Sequence, residues 1–205
     1  MIRTRGVSSI GLFAALVLGA AAGAQPTQPL PTYPVAQAPA SFAPAVHQAD
    51  MVIMKLQAAL LSELLRRLDG VGPAEALDSC HLAAIPVAQS ADRYDGVAVG
   101  RTSARLRNPA NAPREWASPM VQRYADNPKA KVDGFVVDLG DRVGVLRPIR
   151  EQPICQSCHG PEGTLGPGVR ELLARRYPLD QAVGFHEGEI RGWFWAEVRT
   201  APMRR

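Results

Sequence analysis

Cys155, Gln156, Ser157, Cys158 and His159 follow one another in that order, which is the C-x-x-C-H spacing of c-type haem attachment. Two thiols three residues apart can each add to one vinyl group of a haem, and the adjacent histidine then lies under the iron as an axial ligand. Two other chemistries use parts of the same pattern. A redox-active dithiol needs the cysteine pair but not His159, and a zinc knuckle needs a second cysteine pair that this chain lacks. The motif is therefore read as the site of one covalently attached haem c, with Cys155 and Cys158 as the links and His159 as an iron ligand.

The position of the motif narrows the class. Small electron-carrying cytochromes c carry it near the mature N-terminus, with a methionine ligand far downstream. Here 46 residues follow His159, and the one methionine among them is Met203. The second axial ligand is expected upstream, where His47, Met51, Met54, Cys80, His81 and Met120 are candidates. His186 is available downstream, and an open position is a further alternative. Cys80 stands apart because the three cysteines form an odd set. Once Cys155 and Cys158 are consumed, Cys80 has no partner within the chain. A free thiol in an oxidising compartment is buried, paired with another chain or bound to something.

The N-terminus speaks for such a compartment. Arg3 and Arg5 precede an apolar stretch from about Ile10 to Ala22, and the small-residue pattern Ala22-Gly23-Ala24 closes it. Residues 1–24 read as a secretory signal peptide and the periplasm as the destination. The apolar core is shorter than the ~20 residues a bilayer span needs. Removing residues 1–24 from 205 leaves 181, enough for one domain with a substantial core. The remaining charge is nearly balanced, 21 basic against 19 acidic residues, and nothing points to nucleic acid. Residues 25–45, rich in Pro, Ala and Gln, read as a disordered leader, and residues 46–202 as the haem domain.

Elements must then position the motif. From His47 to Asp69, Ile53, Leu56, Leu60, Leu64 and Leu68 recur at helical spacing, with Leu61 and Leu65 widening the face and Gly70 as the expected stop. This long amphipathic helix would pack on its own domain or on a second copy in a homodimer. A second helix is expected from Pro73 to just before Pro86, with Leu77, Cys80 and Ala84 on one face. His81 lies about 100° around that helix from Cys80 and cannot easily serve the same site. Strands are expected at about Gly96–Thr102, Val132–Leu139 and Val143–Ile149, the last two joined by a turn at Gly140-Asp141. A helix from about Arg114 to Asp126 precedes the second of them. In a last strand, Ile190 to Arg199, Ile190, Phe194, Ala196 and Val198 alternate with Arg191, Trp193, Glu197 and Arg199. The fold class is α+β.

Several segments resemble, in order and spacing, the c-type haem proteins with a PAS-like fold, typified by a small cyanobacterial cytochrome. They are Cys80-His81-Leu82-Ala83-Ala84-Ile85-Pro86, Gly100-Arg101-Thr102-Ser103 and Arg107-Asn108-Pro109-Ala110-Asn111-Ala112-Pro113. C-x-x-C-H-Gly and the stretch from Pro178 to Phe185, followed by Gly188-Glu189-Ile190-Arg191-Gly192, complete the set, which spans most of residues 50–200. The resemblance implies a PAS-like antiparallel sheet flanked by helices and an axial pair that maps onto His159 and Cys80. Arg101 and Arg107 are expected to reach the haem propionates. Asn108 and Asn111 are expected to shape the turn.

A thiolate ligand stabilises ferric iron, so a His159/Cys80 haem should have a low potential. On reduction the thiolate can protonate and leave, opening the iron to small molecules. These properties point to a redox or gas sensor acting through an unidentified partner protein. A low-potential electron carrier is the alternative, and a haem peroxidase comes third.

Overall fold

The computed structural model describes residues 29–77 and 97–200. The signal-peptide stretch, Cys80, His81 and Met203 lie outside the described residues. A five-stranded antiparallel sheet is formed by β1 (Thr32–Pro34), β2 (Val97–Thr102), β3 (Phe135–Asp138), β4 (Arg142–Arg150) and β5 (Ile190–Arg199), in the order β1-β3-β4-β5-β2. The expected α+β fold, with its PAS-like antiparallel sheet and long N-terminal helix, is the one observed.

That helix, α1 (Ala43–Val71), covers one face. Ala45, Ala49, Val52, Ile53 and Leu56 are buried along its first half, against Val97, Val99, Val136, Val143, Val145, Phe194, Ala196 and Val198. The two alanines present no bulk, so the helix can lie close to the strands. Its range departs from expectation at both ends. Gly70 does not stop it: the helix runs on to Val71, and Gly72, at φ 86°, turns the chain, because left-handed backbone is where glycine costs least. Leu61 and Leu65 are exposed rather than part of the core. No helix among the described residues is long and apolar enough to cross a membrane.

Of the stretch read as a disordered leader, the described residues 29–45 carry regular structure. β1 pairs Thr32 with Val137, Tyr33 with Val136 and Pro34 with Phe135. Backbone bonds from Asp138 N to Pro31 O (2.9 Å) and from Val35 N to Gly134 O (3.2 Å) tie it down. Prolines fit here because an edge strand need not donate on its outer side. What holds the segment is backbone pairing to β3, which composition does not register.

The second face is covered as well. Here α2 (Ser118–Ala125) packs Val121 with Ala117, Phe135, Leu146, Ile190 and Trp193. Two glycines admit two indoles: a Cβ at Gly100 would lie 2.6 Å from the Trp195 ring, and one at Gly144 would lie 2.9 Å from Trp116. Trp193 therefore belongs to a buried layer, not to a polar face. Ile190 joins it there and not beside Phe194, because a register shift at Ile149/Arg150 pairs Arg150 with Ile190 and leaves Arg191 as an extra residue. A bulge of this kind flips every residue beyond it to the opposite face.

Candidate functional site

The motif sits on one compact turn of chain after β4. Pro153–Cys155 form a 3-10 turn that passes directly into the short helix α3 (Gln156–His159). Residues i, i+3 and i+4 of helical backbone share a face, so Cys155, Cys158 and His159 are grouped by local geometry alone. Both thiols are free, Cys155 part-exposed and Cys158 buried. Burial pushes the Cys158 thiol up from its ordinary value. It is therefore a protonated thiol at neutral pH, not a thiolate.

His159 Nδ1 lies 2.7 Å from the carbonyl oxygen of Ala182. A carbonyl only accepts, so Nδ1 carries the proton and the unprotonated lone pair is on Nε2. Burial, then the nearby charges of Arg191 and Arg107, hold the imidazole pKa well below its usual value. The ring is thus neutral and keeps a free nitrogen, as a metal ligand must. The chain around it is fixed by backbone bonds from Phe185 N to His159 O (3.0 Å) and Gly184 N to Gly160 O (2.8 Å).

Arg107 is the main fastener. Its Nε and Nη2 donate to Asp180 at 3.1 and 3.3 Å, and Nη2 also reaches Cys158 O (2.7 Å) and Ala182 O (3.3 Å). Both partners are nearly buried, with side chains 12% and 6% exposed. The structure thus gives Arg107 a role in joining the motif to the 180–185 loop. Arg101 lies on β2, close enough to His159 for its charge to act on the ring. Asn108 shapes its turn, as expected, by accepting from Ala110 N (3.0 Å), and Asn111 O accepts from Thr102 Oγ1 (2.8 Å).

The first residues after α1 close over the same place. Leu77 and Cys158 share an apolar cluster with Val169, Leu172 and Leu173, of which the last three lie on α4 (Val169–Arg176). Gly166 lies so near Pro73 that a Cβ there would come within 2.8 Å of its ring. The other described candidates for an axial ligand lie elsewhere: Met51 and Met54 are exposed on α1, as is His47, and Met120 packs in the cluster on the α2 face. His186 is exposed, one residue beyond Phe185. Among the described residues no three His, Cys, Asp or Glu side chains gather as a metal-ion site.

Sequence reasoning missed Glu151, Gln156, Asp180 and Ala182. Gln156 is one of the two residues between the cysteines, yet its Nε2 donates to Glu151 Oε1 (2.9 Å) and Phe185 O (3.2 Å). Asp180 was within the resembling segment but had no assigned task, and Ala182 acts through its backbone, which no residue type reveals. Glu151 is 1% exposed. Arg191 Nε approaches its Oε2 to 3.2 Å, but neither atom makes a hydrogen bond.

Burial pushes the Glu151 carboxyl from 4.5 up to about 6, opposed by Arg191. The folded chain therefore holds a proton that the unfolded chain has lost between pH 4.5 and 6, and Glu151 destabilises the fold as pH rises through that window, by roughly 2 kcal/mol. His159 has the opposite slope, since its lowered pKa makes the fold lose stability as pH falls below its ordinary 6.5. In wild type the two slopes oppose each other. Urea melts of Glu151→Gln should then show a steeper loss on acidification from pH 6 to 4.5 than wild type, and parallel curves would refute the assignment.

A search of curated proteins finds no significant match. The crystal structure of the cyanobacterial heme-protein Tll0287 is similar, at 22% identity and a TM-score of 0.54, covering 80% of this chain and 98% of that one. Residues 37–198 match the family described as Tll0287-like. They take in β2 to β5, α1, the C-x-x-C-H turn and the Arg107–Asp180 pair, and the chain accordingly belongs to the Tll0287-like family.

Proposed function

We propose that this chain is an exported c-type haem protein that senses redox state or a small molecule. Its haem is held by thioether bonds from Cys155 and Cys158, and by His159 Nε2 and a Cys80 thiolate as axial ligands. Each thiol adds across one vinyl group, its hydrogen passing to the second vinyl carbon, so no oxidant is required. The observation that carries the reading is the His159 Nδ1–H bond to Ala182 O at 2.7 Å, which leaves Nε2 free beside two free thiols. Family membership supports it, since the similar cyanobacterial protein is a haem protein. For Cys80 the support is Leu77: it packs with Cys158, and three further residues of chain span at most about 11 Å.

When bound, the haem supplies the redox chemistry. The chain's own residues hold it and hold His159 as a neutral, oriented base. Thiolate ligation would stabilise ferric iron, and uptake of a proton by the Cys80 thiolate on reduction would release it and leave room for a small molecule. Such a site responds to reductant and to carbon monoxide or nitric oxide.

The double variant Cys155→Ser/Cys158→Ser should lose all haem that survives denaturing electrophoresis. Retained stain would overturn the attachment. The absorption spectrum of ferric Cys80→Ala should differ from that of ferric wild type, and an unchanged ferric spectrum would remove the thiolate. Carbon monoxide uptake by the reduced protein is expected of the sensor. A haem that stays six-coordinate and exchanges electrons rapidly would establish the electron carrier in its place.

A further inference from the structure

Two donors meet on one backbone oxygen. Ala182 O accepts His159 Nδ1–H at 2.7 Å and also lies 3.3 Å from Arg107 Nη2. That nitrogen has two N–H bonds and three acceptors within reach, Cys158 O at 2.7 Å, Asp180 Oδ2 at 3.3 Å and Ala182 O, so at least one hydrogen is shared. Asp180 cannot release the guanidinium, because its own Oδ1 is engaged by Arg107 Nε and by Ala182 N at 3.0 Å.

A ligating imidazole becomes more electron-rich as the acceptor on its other nitrogen becomes stronger. A cationic donor on that same acceptor withdraws density from it and weakens its hold on the histidine proton. We propose that Arg107 is a positioning residue that sets the basicity of His159 toward iron by competing for Ala182 O. The inference rests on the haem reading above and concerns how its potential is set. Its sign is fixed: with Arg107 present the imidazole is less imidazolate-like, ferric iron is less stabilised, and the potential is higher than the same His/Cys pair would otherwise give.

Charge and hydrogen bonding can be separated. Arg107→Lys keeps the cation but, as a point donor, cannot reach Asp180, Cys158 O and Ala182 O together. Arg107→Gln removes the charge as well. In the reduced, diamagnetic protein under carbon monoxide, the His159 Nδ1–H proton resonance is expected to move downfield in both variants. The midpoint potential should fall in both, and further in Arg107→Gln. A resonance unmoved in both variants with covalent haem retained would overturn the proposal, since loss of charge alone leaves the Nδ1–H bond as it was. Should both variants fold poorly, the wild type decides: scalar couplings to the Ala182 carbonyl are expected from both His159 Nδ1 and Arg107 Nη2, and their absence from Arg107 is disproof. A wild type with no covalent haem would instead refute the haem reading itself.

Discussion

Replacing Asp180 by alanine is expected to lower the free energy of unfolding by about 3–5 kcal/mol, the usual cost of stripping one partner from a buried ion pair. The Asp180 side chain is 6% exposed and that of Arg107 12%, so the orphaned guanidinium cannot recover its lost partner from water. The substitution also removes the acceptor for Ala182 N. That second loss matters to the site, because residue 182 presents the carbonyl that orients His159. Denaturant midpoints should report the stability loss, and in the haem-loaded protein the Soret band should shift as His159 loosens. A loss below about 1 kcal/mol, the range of a solvated pair, would mean that the pair does not clamp the loop.

Trp193→Ala should cost a similar amount, about 3–5 kcal/mol, through a different mechanism and with a different readout. Trp193 is 1% exposed, with ring centroids of Tyr124 at 5.6 Å and Phe135 at 6.0 Å. Truncation would leave a cavity between the sheet and α2 and abolish both aromatic contacts, each worth about 0.5–1.5 kcal/mol beyond its buried area. Phe135 and Leu146 are held by β3 and β4 and cannot collapse far into the space. The layer that contains Trp193 is separate from the cluster around Cys158, so the haem spectrum should stay where it is. A Soret shift as large as that of Asp180→Ala would place Trp193 in the haem pocket. Equal destabilisation with unequal spectra would show that stability and site geometry are carried by different residues.

The strands show what could be read in advance. β5 was legible to the residue, Ile190–Arg199, because period-two alternation over ten residues has few alternative explanations. β3 came out shorter than expected, at Phe135–Asp138, since the apolar character of Val132 reflects packing beside α2 and not strand pairing. β1 was missed. Its Pro-rich composition argues against structure, and only the unpaired edge of β3 makes a strand of Thr32–Pro34. The face of Ile190 was likewise invisible, because a bulge depends on how two distant strands meet.

The sequence by itself determined the chemistry of the motif. Cys155, Cys158 and His159 lie within five consecutive residues, and one turn of helical backbone places them on a common face whatever surrounds them. Only the tertiary structure decided the state of that histidine. Its tautomer depends on Ala182 O, 23 residues away in the chain, and its electrostatic surroundings depend on Arg107, 51 residues from Cys158. Contacts of that sequence separation are made by folding, when α3 and the 180–185 loop close around one guanidinium. Local spacing specifies which groups are present, and long-range packing specifies which proton each one holds.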